Sequence, residues 1–319
     1  MGRVGDPREY TRASMSTSER STIAVLGPGG VGGLLAGALE RAGADVLVIA
    51  QQSTAEVIRD QGLRVRSVTL GEFVFRPRVA STLEEPVGAL IVATKATGLV
   101  SGIERIAAEP ALVLPLLNGL DHLEVLRARF PKGVVAGTIR VESDRPEAGV
   151  VVHTSPFLYI EMASADDAMR APMDELAATL SDAGVPASVQ DSEAQVMWSK
   201  LVRLNALACV TSAYDKLLGE IRATPELYDD FKGAIEEAAA VARAEGADIE
   251  AAKAISEFDL AHETLGSSMQ RDIAAGRPPE LDAIPGAILR AGARHGIRCP
   301  TIERLVATIA QRAGVPAPV

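Results

Sequence analysis

One glycine cluster constrains this chain more than any other feature. The apolar run Thr22–Leu26 (TIAVL) leads into Gly27-Pro28-Gly29-Gly30-Val31-Gly32, and Leu34-Leu35-Ala36-Gly37-Ala38-Leu39 follows with helical composition. Strand, glycine-rich turn and helix in that order are the setting in which G-x-G-x-x-G holds a dinucleotide. Gly27 permits the tight turn, Gly29 lets a pyrophosphate approach the main chain, and Gly32 lets the helix pack on the strand. Phosphate charge then meets free amides at the positive end of the helix. The whole segment, Pro28 and Val31 included, is the expected cofactor cradle. An ordinary tight connection is the alternative that the motif alone leaves open.

Further apolar runs repeat the pattern: Asp45–Ala50, Gly88–Thr94, Ala111–Leu116 and Gly133–Gly137. Continuous apolar strands alternating with helices predict a parallel sheet covered on both faces. Near Asp191 the texture changes to long helical stretches: Ser192–Leu218, Pro225–Glu245, Ala251–Asp272, Pro279–His295 and Thr301–Ala313. The expected fold class is therefore α/β, an N-terminal Rossmann-type doubly wound parallel sheet followed by an all-helical C-terminal domain. The divisions are a flexible tail over 1–21, a dinucleotide-binding domain over 22–190 and a helical substrate domain over 191–319. Met15 is an alternative start. A length of 319 residues suits two cores.

Composition narrows the partners. A net charge of -10 opposes association with nucleic acid or an acidic membrane, and 3% aromatic residues offer little stacking surface. No run reaches the ~20 apolar residues of a membrane span, and the N-terminus has no signal-peptide core, so a cytoplasmic location is expected. Cys209 and Cys299 are read as small buried residues. The histidines, at 122, 153, 262 and 295, have no zinc-site spacing, and no metal is expected. At the end of the second strand, Gln51 is placed to meet the adenosine ribose. A neutral amide bonds to a 2′-hydroxyl or a 2′-phosphate, so this position does not decide between the two cofactors; NADP is the expectation, with NAD not excluded.

Several downstream landmarks together resemble the ketopantoate reductase (2-dehydropantoate 2-reductase) family. They are Ala93-Thr94-Lys95-Ala96, Leu117-Asn118-Gly119, Trp198-Ser199-Lys200-Leu201, Gly219-Glu220-Ile221, Ser267-Ser268-Met269 with Asp272, Glu280-Leu281-Asp282 and Ala293-Arg294-His295-Gly296-Ile297. The resemblance implies a hydride donor on the first domain and a 2-oxo acid reduced in a cleft between the domains, with pantothenate biosynthesis as the pathway. It implies Lys200 as general acid and Glu280 as the carboxylate at the cofactor ribose. Asn118 and Ser268 would line the cleft, and Lys95 and Asn118 would lie beside the cofactor. Chemistry agrees, since an ammonium can stabilise a developing alkoxide and protonate it. The plainer alternatives are a snorkelling Lys200, a first-turn carboxylate at Glu280 and a turn dipeptide at Asn118-Gly119.

The chain departs from the family at three positions where asparagines are usual, which here hold Leu204, Ala208 and Leu218. Lys200, Leu204 and Ala208 are spaced to share a helical face, so an apolar cleft wall is expected, with Asn205 turned about 100° away. Apolar contacts discriminate weakly where amides discriminate strongly. The substrate is therefore expected to be ketopantoate or a more apolar 2-oxo acid, ketone or imine. An imine-reducing or opine-type dehydrogenase is the competing enzyme, and a non-catalytic NADP(H)-binding sensor the competing reading of another class. A homodimer is compatible with the helical domain, although no interface patch stands out.

Overall fold

The first crossover unit is β1 (Ile23–Leu26), α1 (Gly30–Arg41) and β2 (Val46–Ile49), with α2 (Gln52–Gln61) after it. The chain continues through β3 (Leu63–Ser67), β4 (Gly71–Phe75) and β5 (Arg78–Ala80). It then returns to the first sheet in β6 (Ala89–Val92), α3 (Leu99–Ile103), β7 (Leu112–Pro115) and α4 (His122–Arg129). In this computed structural model, which describes residues 21–318, the first sheet has the order β5-β2-β1-β6-β7 with every pairing parallel. The expected tail lies outside the described residues except for Ser21.

Alternate β1 residues serve opposite cores, as a pleated strand requires. Ile23 and Val25 join Leu34, Leu35 and Leu39 of α1, whereas Ala24 and Leu26 join Leu99 and Leu126 on the other face. A strand covered on both sides must be apolar at every position, which is why these strands read as unbroken runs.

Next come β8 (Ala136–Arg140), β9 (Ser143–Glu147), β10 (Val150–His153), β11 (Tyr159–Ala163), α5 (Arg170–Asp182) and β12 (Ala187–Val189). They complete two smaller sheets, β4-β3-β10-β9 and β12-β11-β8. The strand expected over 133–137 is corrected accordingly. Only one parallel bridge, Val113 to Val134, ties it to β7, and β8 then runs antiparallel to β11.

The helical part begins with α6 (Glu193–Tyr214), whose N-cap Ser192 accepts from the Gln195 amide at 3.2 Å. α7 (Leu218–Ala223), α8 (Pro225–Ala244), α9 (Ala251–Asp259), α10 (Ser268–Ala274), α11 (Ala287–Arg294) and α12 (Pro300–Ala313) follow. Three expected helices are broken. The one over 192–218 ends because Asp215 takes left-handed geometry, φ 55° and ψ 44°, so Leu218 starts a separate helix. The stretch 251–272 divides into α9 and α10 around a loop, and Ser267 caps α10 through the Gln270 amide. The stretch 279–295 contains a π-helical turn, Asp282–Gly286, around Pro285, which has no N–H to give an α-helical bond. One core runs from Trp198 to Ala310 and takes in both cysteines, each buried and free.

Candidate active site

The glycine turn is shaped by four different demands. Gly27 has φ 89° and donates to the Ile49 carbonyl at 3.0 Å; a Cβ there would lie 2.8 Å from Thr94 Cγ2. At Gly32 a Cβ would lie 2.2 Å from the Gly27 carbonyl oxygen. At Gly30 it would lie 2.4 Å from the Ser143 carbonyl oxygen, because β9 crosses that side, and Ser143 Oγ donates to Gly30 O at 2.8 Å. Gly29 differs, because a Cβ there would meet nothing within 4 Å. It is also the N-cap of α1, and no side chain caps that end. Open space beside an uncapped helix start fits an anionic group held by main-chain amides. Pro28 is buried, and Val31 packs against the sheet core. Gln51 is the exposed N-cap residue of α2, and beside it Gln52 Nε2 donates to Glu56 Oε1 at 2.8 Å.

A second group of residues gathers where β7 ends. Lys200 on α6 donates from Nζ to Asn118 Oδ1 at 2.9 Å, and Asn118 Nδ2 donates to Glu280 Oε2 at 2.9 Å. The flanking charges fix the amide's orientation, oxygen toward ammonium and nitrogen toward carboxylate. Gly119 makes the arrangement geometrically available. Its φ is 87°, and a Cβ on it would lie 2.0 Å from the Ala283 carbonyl oxygen in the π-helical turn. The loop bearing Asn118 is thus pressed onto the segment bearing Glu280.

Lys200, Asn118 and Gly119 border a narrow crevice lined also by Leu117, Thr138, Met197 and Leu204. Its volume is about 10 Å³, room for about one water. Burial draws the Lys200 ammonium down to about 8; the Glu280 carboxylate opposes the shift and the Arg140 guanidinium adds to it. Nearby, His122 at the start of α4 is buried with neither ring nitrogen partnered. Burial, then the charges of Lys200 and Arg127, pushes its imidazole down to about 4.

Lys95 lies after β6, and its Nζ donates to Asp272 Oδ2 on α10 at 3.0 Å. Arg277 Nε holds the other oxygen of Asp272 at 2.7 Å. Lys95 thereby ties the parallel-sheet half to the helical half. Ser268 is exposed in the first turn of α10, away from the crevice lining.

The expected apolar wall contracts to one residue. Leu204 lines the crevice, but Ala208 and Leu218 are fully buried in the helical core. The bend at Asp215 puts Leu218 on another helix, and α6 carries Ala208 inward. Asn205 is also fully buried, its Nδ2 without a partner. The sequence reading assigned no role to Thr138, Arg140, Asp272 or Arg277. Only Asp272 carried a signal, as one of the family landmarks.

Among the described residues no three His, Cys, Asp or Glu gather as metal ligands, and no helix is long and apolar enough to cross a membrane. Residues 23–166 match the family described as Ketopantoate reductase PanE/ApbA, and residues 192–313 match its C-terminal part. The chain is 28% identical over 304 residues to a 2-dehydropantoate 2-reductase of Halobacterium salinarum, covering 92% of this chain and 99% of that one. It is 28% identical over 299 residues to the uncharacterized oxidoreductase YkpB of Bacillus subtilis, covering 89% and 96%. The crystal structure of a 2-dehydropantoate 2-reductase from Geobacter metallireducens superposes with a TM-score of 0.82 at 28% identity, covering 91% and 99%.

Proposed function

The chain belongs to the ketopantoate reductase family, and from that premise we propose that it reduces the carbonyl of a 2-oxo acid with a nicotinamide cofactor, Lys200 serving as the proton donor. The observation that carries this reading is the line Lys200, Asn118, Glu280, joined by two hydrogen bonds of 2.9 Å. When bound at the Gly27–Gly32 turn, the reduced nicotinamide supplies a hydride to the carbonyl carbon. Lys200 gives a proton to the carbonyl oxygen, on which charge develops. Asn118 holds the ammonium in place. Glu280 keeps the donor protonated without taking its proton, since the amide stands between them.

NADPH is the proposed donor. Gln51 puts a neutral amide, not a carboxylate, at the end of β2, and such an amide can bond a 2′-phosphate. Lys95 adds a positive charge on the cofactor side. The cofactor half is taken as 22–190 and the substrate half as 191–319, working in the cytoplasm on a small molecule. Ketopantoate or a more apolar 2-oxo acid is the substrate class, because Leu204 stands one turn beyond Lys200.

Fluorescence titration with NADPH and NADH, followed by steady-state rates with ketopantoate and bulkier apolar 2-oxo acids, tests the reading. Tighter NADPH binding and turnover of at least one 2-oxo acid are expected. Failure to bind either cofactor, or full activity in Lys200→Ala, would overturn it.

A further inference from the structure

Beside the crevice, on the neighbouring stripe of α6, lies a larger cavity that the proposed reaction does not use. It has a volume of about 290 Å³, and both signs of charge face it: Arg140, Arg203 and Lys253 on one hand, Glu161, Asp248 and Glu250 on the other. It spans both halves of the molecule, since Arg140 and Glu161 come from β8 and β11 and the others from α6, the segment between α8 and α9, and α9 itself.

Part of this frame is already committed. Gln195 clamps the main chain of Asp248 from both sides, donating to its carbonyl at 3.2 Å and accepting from its amide at 2.8 Å. Arg203 is held by Glu257 at 2.6 and 2.8 Å and donates to the Ser199 carbonyl at 2.9 Å. These bonds fix the walls and neutralise Arg203.

The rest is uncommitted. The Arg140 guanidinium lies 5.4 Å from the centre of the Tyr159 ring, and its Nε is buried with no acceptor. A buried cationic N–H without a partner is costly unless something supplies one. Glu161, Glu250 and Lys253 form no ion pair with another described residue. A plain anion would meet the carboxylates, and a plain cation would meet Arg140 and Lys253. A ligand carrying both charges satisfies both sides.

We propose that this cavity is a second binding site, for a small zwitterion of the α-amino acid class. The ligand carboxylate pairs with Arg140, supported by Lys253, and its ammonium faces Glu161 and Glu250. The volume, near the lower end of small-molecule pockets, suits a ligand of that size.

Occupancy would be felt at Lys200. Arg140 and Thr138 lie two apart on β8, so their side chains share a face, and Thr138 borders the crevice. Lys200 is faced by Glu280 from the π-turn side, by Arg140 from β8 and by His122 from α4. A carboxylate on Arg140 cancels the charge that disfavours the ammonium, so the ligand should raise the pH at which Lys200 loses its proton. This consequence rests on Lys200 being the proton donor; binding itself does not.

Isothermal titration of the full chain with a panel of standard α-amino acids tests the site, with propionate and ethylamine as alanine analogues carrying one charge each. Saturable binding of at least one amino acid is expected, weakened roughly ten-fold or more in Arg140→Gln and in Glu161→Gln, with both analogues weaker by a similar factor. Arg140→Lys and the thermal midpoint of each variant separate loss of binding from loss of folding. Absence of binding, equal binding to both variants, or propionate matching alanine would overturn the proposal. If an amino acid binds as expected but the alkaline limb of the rate profile stays fixed, the site stands and the assignment of Lys200 as donor fails.

Discussion

Lys200 and Glu280 meet through the two ends of a single amide, that of Asn118, which lies 2.9 Å from each. For the proposed proton transfer, a direct ion pair would bind the proton tightly and resist its release. The intervening amide keeps the electrostatic support while leaving the ammonium free for that proposed role. Replacing Asn118 with Leu removes both bonds and strands two charges. Steady-state turnover should fall by about one to two orders of magnitude, measured as kcat at saturating cofactor so that any change in cofactor affinity is read separately by titration.

The rate should depend on pH through Lys200. Its ammonium is drawn down to about 8, and in the proposed reaction only the protonated form can donate. Thus kcat/KM should be sustained below that value and decline as pH rises through it. Glu280 raises the value, so Glu280→Gln should move the alkaline limb to lower pH, alongside any loss of maximal rate. A limb unmoved by this variant would separate Glu280 from the donor's electrostatics.

Two glycines of the cradle should respond oppositely to alanine. A Cβ on Gly29 enters open space, so Gly29→Ala should fold normally and lose cofactor affinity. A Cβ on Gly32 would lie 2.2 Å from the Gly27 carbonyl, a clash with main chain that overpacks the strand-helix contact. Gly32→Ala should cost about 1–3 kcal/mol of stability. Thermal unfolding beside cofactor titration distinguishes the two.

Gly119→Ala combines a left-handed φ of 87° with a contact of 2.0 Å to the Ala283 carbonyl oxygen. The loop must then move, carrying Asn118 with it. Stability should drop by about 1–3 kcal/mol, and kcat should drop even in the fraction that remains folded.

Lys95 offers a contrast. Its side chain is 58% exposed, so its pair with Asp272 is worth about 0–1 kcal/mol. Lys95→Ala should hardly shift the unfolding midpoint. If Lys95 also serves the cofactor, as the family resemblance implies, the variant should weaken NADPH binding by roughly ten-fold.

The parallel sheet and the glycine-rich turn at its first strand were legible in the sequence because both are local. Gly27 to Gly32 adjoins its own strand and helix, and buried strands betray themselves as apolar runs. The helix breaks were less so. Asp215 adopts left-handed geometry inside a stretch of good helix formers, and the residues themselves give no warning. The crevice was legible only as separate landmarks, since Asn118 lies 82 residues from Lys200 and 162 from Glu280. Arg140 left no trace, because its place beside Lys200 comes from the register of β8 against α6. The inward course of Ala208 likewise depends on how α6 lies against α8, α10 and α12, which periodicity within one helix does not reveal.

The contact between Gly119 and Ala283 also bears on how such a protein can diversify. That contact fixes the Asn118 loop against the Glu280 segment by main chain alone, whereas the crevice beside Lys200 is shaped by replaceable side chains such as Leu204. With Lys200 as the proposed acid, other carbonyl compounds would be accommodated by exchanging those side chains while the acid stays in place, so long as position 119 remains without a side chain.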